Sequence, residues 1–392
     1  MTNRRNVPLR GPFPDVGTTP LVSPIYPSVV YTAQSPDALD AVYEGEAEGY
    51  TYARDGHPNA DALAARIDAL EGVAGGIVVG SGMAAVTLAC LSALTAGDHV
   101  LAGDQLYGRS LRLMGETLPR FGIETELFDS TDASAFEAKI RPETKLVLAE
   151  VVSNPTIRVA DIEGIVAVAK AKGILVVVDN TFTTPAAFKP YEWGADMVIH
   201  SVTKLLSGHS DTTLGYLHAK DAALMALIET TAVTMGLTPS PFDCWLAERG
   251  LLTFQLRYDR AQSNAAILAD ALADMTGVSR VLYPQRSDHP DHNRALGLLG
   301  ENGSTMVSFQ INGERDEANR LVEAASTIAF APTLGDIVTT LSHPPSSSHR
   351  ALTPQARARI GITEGFFRVS VGCEDIDALI GGFETAVNAA AS

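Results

Sequence analysis

Lys204 stands in the run HSVTKLLSGHSD (200–211), directly after the short apolar stretch MVIHS (197–201). A strand end there sets an amine at the mouth of a sheet crevice, with the Ser201 and Thr203 hydroxyls close by as phosphate donors. Partial burial and a nearby positive group keep such an amine neutral for part of the time, which imine formation requires. Asp179 closes the apolar run ILVVV (174–178), and a carboxylate at the end of a buried strand needs a compensating partner. A helix cap, an arginine or the protonated nitrogen of an aromatic cofactor would each serve. The third element is GSGMAA (80–85). It joins a strand to a helix start, where backbone amides attract phosphate, glycine permits close approach and Ser81 adds a hydroxyl. It is neither GxGxxG nor a P-loop. Each element alone has an ordinary structural explanation, but together they form a phosphate-plus-imine site.

These residues need a sheet to hold them, and the chain supplies one. GGIVVG (75–80), HVLAGD (99–104), KLVLAEVVS (145–153), ILVVVDN (174–180) and MVIHS (197–201) read as short apolar strands. Helical spacing separates them at 61–72, 81–94, near 108–120 and at 162–173. Strands of this kind between helices predict an α/β fold with a mainly parallel central sheet covered on both faces. Catalytic groups then collect past the carboxyl ends of the strands. Residues 236–272 read as one or two bridging helices. TMVSFQI (305–311), a helix near 315–329, FFRVSV (366–371) and a terminal helix read as a smaller C-terminal α/β domain. The expected divisions are an N-terminal arm (1–59), a large domain (60–260) and a small domain (261–392). The irregular start of the arm offers Val22, Ile25, Val29 and Val30 for docking onto the large domain or a neighbouring subunit.

Composition narrows the function class. With 46% apolar and 19% charged residues the chain is compact and globular rather than disordered. A net charge of -17 opposes a nucleic-acid partner, and the one dense basic group, Arg4, Arg5 and Arg10, is too short to form a surface. Cys90, Cys244 and Cys373 make no CxxC pair, which fits a reducing cytoplasm. No signal core or membrane span is read. His200, His209 and Asp211 flank Lys204, but folding around a cofactor explains them better than metal ligation, and no metal is expected.

Along nearly its whole length the chain resembles the transsulfuration enzymes, the Cys/Met-metabolism family of fold-type I pyridoxal-phosphate (PLP) proteins. The resemblance is carried by YARDGHPN (52–59), LEG (70–72), SGMAA (81–85), GD and LYG (97–98 and 106–108) and AEVVSNP (149–155). It continues in VVVDNTFTTP (177–185), GADMVIHSVTKLLSGHSD (194–211) and FFRVSVGCED (366–375). It implies PLP held as a Schiff base on Lys204, with Asp179 against the pyridine nitrogen. Ser81, Gly82, Met83, Ser201 and Thr203 would hold the phosphate. Tyr52 and Arg54 from a neighbouring subunit would complete that site, giving a dimer as minimum unit and a homotetramer as assembly. Tyr107 would stack on the ring and move protons, while Asn154 and Arg368 would hold the cofactor oxygen and the substrate α-carboxylate. Thr339 is also assigned to the substrate.

The γ-substituent is read from fewer residues. Arg112, five residues past Tyr107, favours a distal carboxylate such as that of cystathionine. Arg109 in YGRS, Val338 where cystathionine enzymes often have Glu, Thr51 and His57 all depart from the family pattern and leave room for a specialised substrate. HSDTTLG (209–215) argues against the sulfhydrylase branch. The expected reaction is γ-elimination on cystathionine, giving 2-oxobutanoate, ammonia and cysteine. The alternatives are γ-replacement of an activated homoserine ester by cysteine, methionine γ-elimination, and a catalytically silent scaffold.

Overall fold

A computed structural model of the chain describes residues 17–300, 303–350 and 352–391. The basic group Arg4, Arg5 and Arg10 and the first part of the arm lie outside them. Among the described residues, the first sheet contains β1 (Ile77–Val79), β2 (His99–Gly103), β3 (Glu124–Phe128), β4 (Thr144–Glu150), β5 (Leu175–Asp179), β6 (Met197–Ser201) and β7 (Gly215–Ala219). Their order is β1-β7-β6-β5-β4-β2-β3. The pairs from β3 through β6 are parallel, and β7 alone runs opposite, between β6 and β1. The sheet is therefore mainly parallel, as the spacing of apolar runs predicts.

Both faces are covered because side chains alternate along each strand. Val147, Ala149, Val176 and Val178 join one core with the helix Ile162–Lys172. Leu146, Leu148, Val177 and Ile199 join the other with the helix Gly82–Ala93. The second sheet contains β8 (Val278–Leu282), β9 (Met306–Ile311), β10 (Ala329–Phe330), β11 (Thr340–Ser342) and β12 (Phe366–Ser370), in the order β10-β11-β12-β9-β8. Phe367 and Val369 face helices Phe254–Asp274, Arg315–Ala324 and Ile376–Ala391. Phe366 turns the other way, into the core of the large sheet. Period-two alternation puts Arg368 on that same side, toward the strand ends that carry Asp179 and Lys204.

Several elements are not foreseen from the sequence. β3 is an edge strand whose ETELF pattern carries two glutamates, and β7 opens on a glycine and contains a histidine, so neither reads as an apolar run. The helix Ala222–Met235 was also missed. The expected helix near 108–120 breaks into Gly108–Arg112, a π-helical turn Leu113–Thr117 and a 3-10 turn Leu118–Phe121. The expected helix near 315–329 stops at Ala324, because Ala329–Phe330 pairs with β11.

The arm docks on its own chain by main-chain bonds: Tyr26 N donates to Asn59 and Trp245 Nε1 donates to Ser23 O, both at 2.8 Å. Its apolar side chains Leu21, Val22, Ile25, Val29 and Val30 remain exposed. Among the described residues no helix is long and apolar enough to cross a membrane.

Candidate active site

The floor of the crevice is formed by the carboxyl ends of β5 and β6. Asp179 is deep among protein atoms yet keeps part of its surface open to the crevice. Burial raises its pKa, opposed by hydrogen bonding from Thr181, whose amide donates at 3.0 Å. Thr181 Oγ1 in turn accepts from Ser201 N at 2.7 Å, tying the two strand ends together. Lys204 follows Ser201 by three residues. Its amine has one long contact, 3.4 Å to Thr333 Oγ1, and burial together with the Arg368 charge lowers its pKa toward the neutral form.

Opposite β6 lies the turn from β1 into helix Gly82–Ala93. Ser81 caps it, its hydroxyl accepting from Ala84 N at 3.1 Å, and the first amides of the helix have no acceptor within it. A Cβ at Gly82 would lie 2.6 Å from the Ser201 Cβ, so glycine is required for the turn to approach β6. Met83 packs its side chain into the core, leaving its amide for the turn. Thr203 is more committed than the sequence suggests: its hydroxyl donates to Leu214 O at 3.1 Å and accepts from Leu214 N at 3.0 Å.

Behind the floor is a buried polar cluster that sequence reasoning missed. Glu71, the last residue of helix Pro58–Glu71, accepts from Asn180 Nδ2 at 3.0 Å and lies 2.5 Å from His200 Nε2. The Glu71 and His200 side chains are fully excluded from solvent. Glu71 thus joins the residue after Asp179 to the residue before Ser201, and His200 points away from the crevice. His57, near the start of that helix, is its N-cap: Nδ1 accepts from Ala60 N at 3.2 Å. Its Nε2 lies 3.1 Å from Pro239 O, so both ring nitrogens are engaged in holding the turn.

The second sheet supplies the facing wall. Arg368 Nη1 donates to Asn154 Oδ1 and Nη2 to the Thr333 carbonyl, both at 2.6 Å, while its buried Nε has no partner. Burial lowers its pKa to about 10, with Tyr107 opposing the shift. Thr333, also unforeseen, touches both Lys204 and Arg368. The loop that bears it passes close to Lys204, because a Cβ at Gly335 would meet the Leu205 amide at 2.4 Å. Tyr107, after β2, keeps 41% of its surface exposed.

The outer residues fall elsewhere. Arg112 donates from Nε to Glu116 at 2.7 Å on the surface, its side chain 61% exposed. Thr339 is buried and its hydroxyl donates to Glu374 Oε2 at 2.9 Å, so that group is turned away from the crevice. Val338 and Ile337 beside it are exposed. Arg54 lies over the Tyr52 ring at 4.9 Å, and both side chains are exposed.

The residues fit a phosphorylated pyridine aldehyde. Among the described residues no cation pairs with Asp179, which leaves a deep carboxylate that a protonated ring nitrogen would neutralise. A neutral-leaning amine stands one strand away, and hydroxyls with unpaired helix-start amides stand where a phosphate binds. Site and sheet together define a PLP-dependent enzyme of fold type I.

The comparisons agree. Residues 10–388 match the family model "Cys/Met metabolism PLP-dependent enzyme", and the chain belongs to that family. It is 36% identical over 372 residues to an L-methionine gamma-lyase of Pseudomonas putida, covering 95% of this chain and 93% of the relative. It is 40% identical over 338 residues to the cystathionine beta-lyase MetC of Bacillus subtilis, covering 86% of each. The crystal structure of a cystathionine gamma synthase from Xanthomonas oryzae pv. oryzae, in complex with aminoacrylate and cysteine, superposes with a TM-score of 0.90 at 33% identity, over 96% of this chain and 95% of that one. The cofactor is PLP, and the chemistry is a carbon–sulfur lyase or transferase reaction on a sulfur amino acid.

Proposed function

We propose that the chain catalyses γ-replacement, joining the thiol of cysteine to the γ carbon of an activated homoserine ester. The observation that carries this reading is the position of Arg112. The side chain best suited by sequence to grip the distal carboxylate of cystathionine is engaged by Glu116 in solvent, and Val338 offers a methyl surface where an acidic contact would hold a distal ammonium. The uncharged leaving group of a small ester needs neither anchor, and the cysteine that replaces it brings its carboxylate and ammonium only as the second, incoming substrate. Cystathionine cleavage, favoured by the sequence, is the less supported reading. The exposed Tyr107, Ile337 and Val338 leave the mouth open to a second substrate. The same apolar rim also suits the methylthio group of methionine, which makes methionine γ-elimination the second reading.

In this reading PLP, when bound, supplies an electron sink for the pair released at the substrate α carbon. Asp179 keeps the ring nitrogen protonated. Ser81 and Ser201 with the Gly82 and Met83 amides hold the phosphate, Thr203 joins them by turning its hydroxyl proton from the Leu214 carbonyl, and Tyr52 and Arg54 complete that site on a neighbouring subunit. Their exposure, with the uncovered apolar side chains of the arm, supports dimers with shared sites and a homotetramer built from them. Arg368 presents a planar donor fork to the α-carboxylate, and Asn154 orients that fork. Lys204 Nζ, its pKa lowered by burial and then by the Arg368 charge, takes the α proton. Tyr107 covers the ring, excludes water and shares proton transfer toward the leaving group with Lys204.

The test is product analysis by mass with holoenzyme given O-acetylhomoserine plus cysteine, L-methionine, or L-cystathionine. Cystathionine is expected to dominate in the first mixture. Release of 2-oxobutanoate and cysteine from cystathionine, with negligible synthesis in the first mixture, overturns the assignment.

A further inference from the structure

Glu150 ends β4 directly opposite Asp179 in the parallel register with β5, and only 8% of its surface is exposed. Its Oε1 accepts the Tyr107 amide at 2.7 Å. Tyr107 begins the short helix Gly108–Arg112 without any side-chain cap of its own, so this carboxyl group fixes the main chain at the residue that, in the proposed function, covers the crevice. On the far side, Gly108 is packed so closely against the Ser348 carbonyl that a Cβ would lie 2.5 Å from it. The Tyr107 turn is thus held between β4 and the second sheet. We propose that Glu150 is a positioning residue of this active site, tying Tyr107 to the strand pair that carries Asp179.

Two carboxyl groups side by side in a low-dielectric crevice cannot both ionise cheaply. Asp179 is favoured as the anion by the Thr181 hydrogen bonds and by His200, whereas Glu150 has one amide donor and the Asp179 charge against it. Burial and that charge raise the Glu150 pKa well above the ordinary value. That shift favours the protonated form of Glu150, which still accepts the Tyr107 amide through its carbonyl oxygen and adds no second charge beside Asp179. The role is independent of which γ-substituent leaves.

Glu150→Ala and Glu150→Gln separate the possibilities, because Gln keeps a carbonyl acceptor of the same length without an ionisable proton. In the apoenzyme, hydrogen exchange at the Tyr107 amide is expected to accelerate roughly tenfold in Glu150→Ala, as one backbone hydrogen bond is lost, and to return toward the wild-type rate in Glu150→Gln. In the holoenzyme, Glu150→Ala is expected to change the visible circular dichroism of the bound cofactor and to lower kcat by about ten- to a hundredfold with little change in KM, as misplacement of a covering group does. Glu150→Gln is expected to recover most of both. Adding Tyr107→Phe to Glu150→Ala should cost less than the two single losses combined. Unchanged exchange and dichroism in Glu150→Ala, strictly additive losses in the double variant, or Glu150→Gln as damaging as Glu150→Ala would each overturn the proposal. If both variants fail to fold, Glu150→Met, which keeps the volume without the acceptor, is read by the same exchange measurement with the same expectation.

Discussion

The floor of the crevice and its rim are built differently. At the floor, Asp179, Asn180, Thr181, His200 and Ser201 are joined by short hydrogen bonds across β5 and β6, and Glu71 ties both strands to the helix beneath. At the rim, Tyr107, Arg109, Arg112 and Val338 are exposed; the Tyr107 amide is held by Glu150, while the Arg112 side chain is engaged only by the exposed Glu116 and points away from the site. The floor holds its groups whether or not a ligand is present. The floor carries the groups of the family chemistry, and in the proposed reading the choice of γ-substituent falls to the rim.

The contrast breaks most visibly at Lys204. Lys204→Ala is expected to remove the lysine Schiff-base band from the absorption of the bound cofactor and to lower kcat by at least about a thousandfold, since nucleophile and proton carrier are lost together. Retention of both would remove the floor from the mechanism. The next largest effect is on folding. Glu71→Ala strands the buried His200 imidazole and an Asn180 donor, and a loss of about 3 kcal/mol is expected in denaturant unfolding of the apoenzyme. A loss within experimental error of a surface substitution would show that the buttress contributes nothing.

A third measurement sharpens the electrostatics of the floor. Burial, then the Arg368 charge, lowers the Lys204 pKa from 10.5. Between that lowered value and 10.5 the unfolded chain binds more protons, so this group's contribution to apoenzyme stability rises with pH across that window and is constant below it. The same shift lets the apoenzyme capture the PLP aldehyde at lower pH than a solvent-exposed lysine does. Arg368→Met is expected to move the midpoint of the capture rate to higher pH, followed by absorbance after mixing. An unmoved midpoint would assign the shift to burial alone.

What could be read in the sequence follows the same division. The strands of the floor are mainly apolar runs of three to seven residues whose ends carry the chemistry, so β1, β2, β4, β5 and β6 and the placement of Lys204 and Asp179 were legible. β3 and β7 were not, because an edge strand tolerates glutamates and β7 owes its burial to neighbours rather than to its own composition. Glu71 and Glu150 lay in segments noticed for their resemblance, LEG and AEVVSNP, yet a single carboxylate gives no sign of its partner until helix and strand are assembled. Thr333 and the inward turn of Thr339 depend on the path of a loop over Lys204, and local spacing cannot encode that. Arg112 shows the limit most clearly: its place five residues past Tyr107 suggests a distal carboxylate, but its side chain is engaged by Glu116 one helical turn on.

That pairing yields the smallest effect and the sharpest test of the rim. An exposed i,i+4 ion pair contributes little to stability and holds its arginine only weakly, so removing it should leave the fold intact. If the γ-substituent is an uncharged ester, Arg112→Leu changes kcat/KM for O-acetylhomoserine by no more than about twofold, within the range of a surface substitution. A distal carboxylate able to pull Arg112 away from Glu116 would have to outbid only that weak pair, and kcat/KM for cystathionine would then fall at least about tenfold in the same variant. Equal, small losses for both substrates place Arg112 outside recognition and leave specificity to the apolar residues at 337 and 338. A selective loss for cystathionine turns the arginine inward on binding and restores γ-elimination of cystathionine as the better reading of the rim.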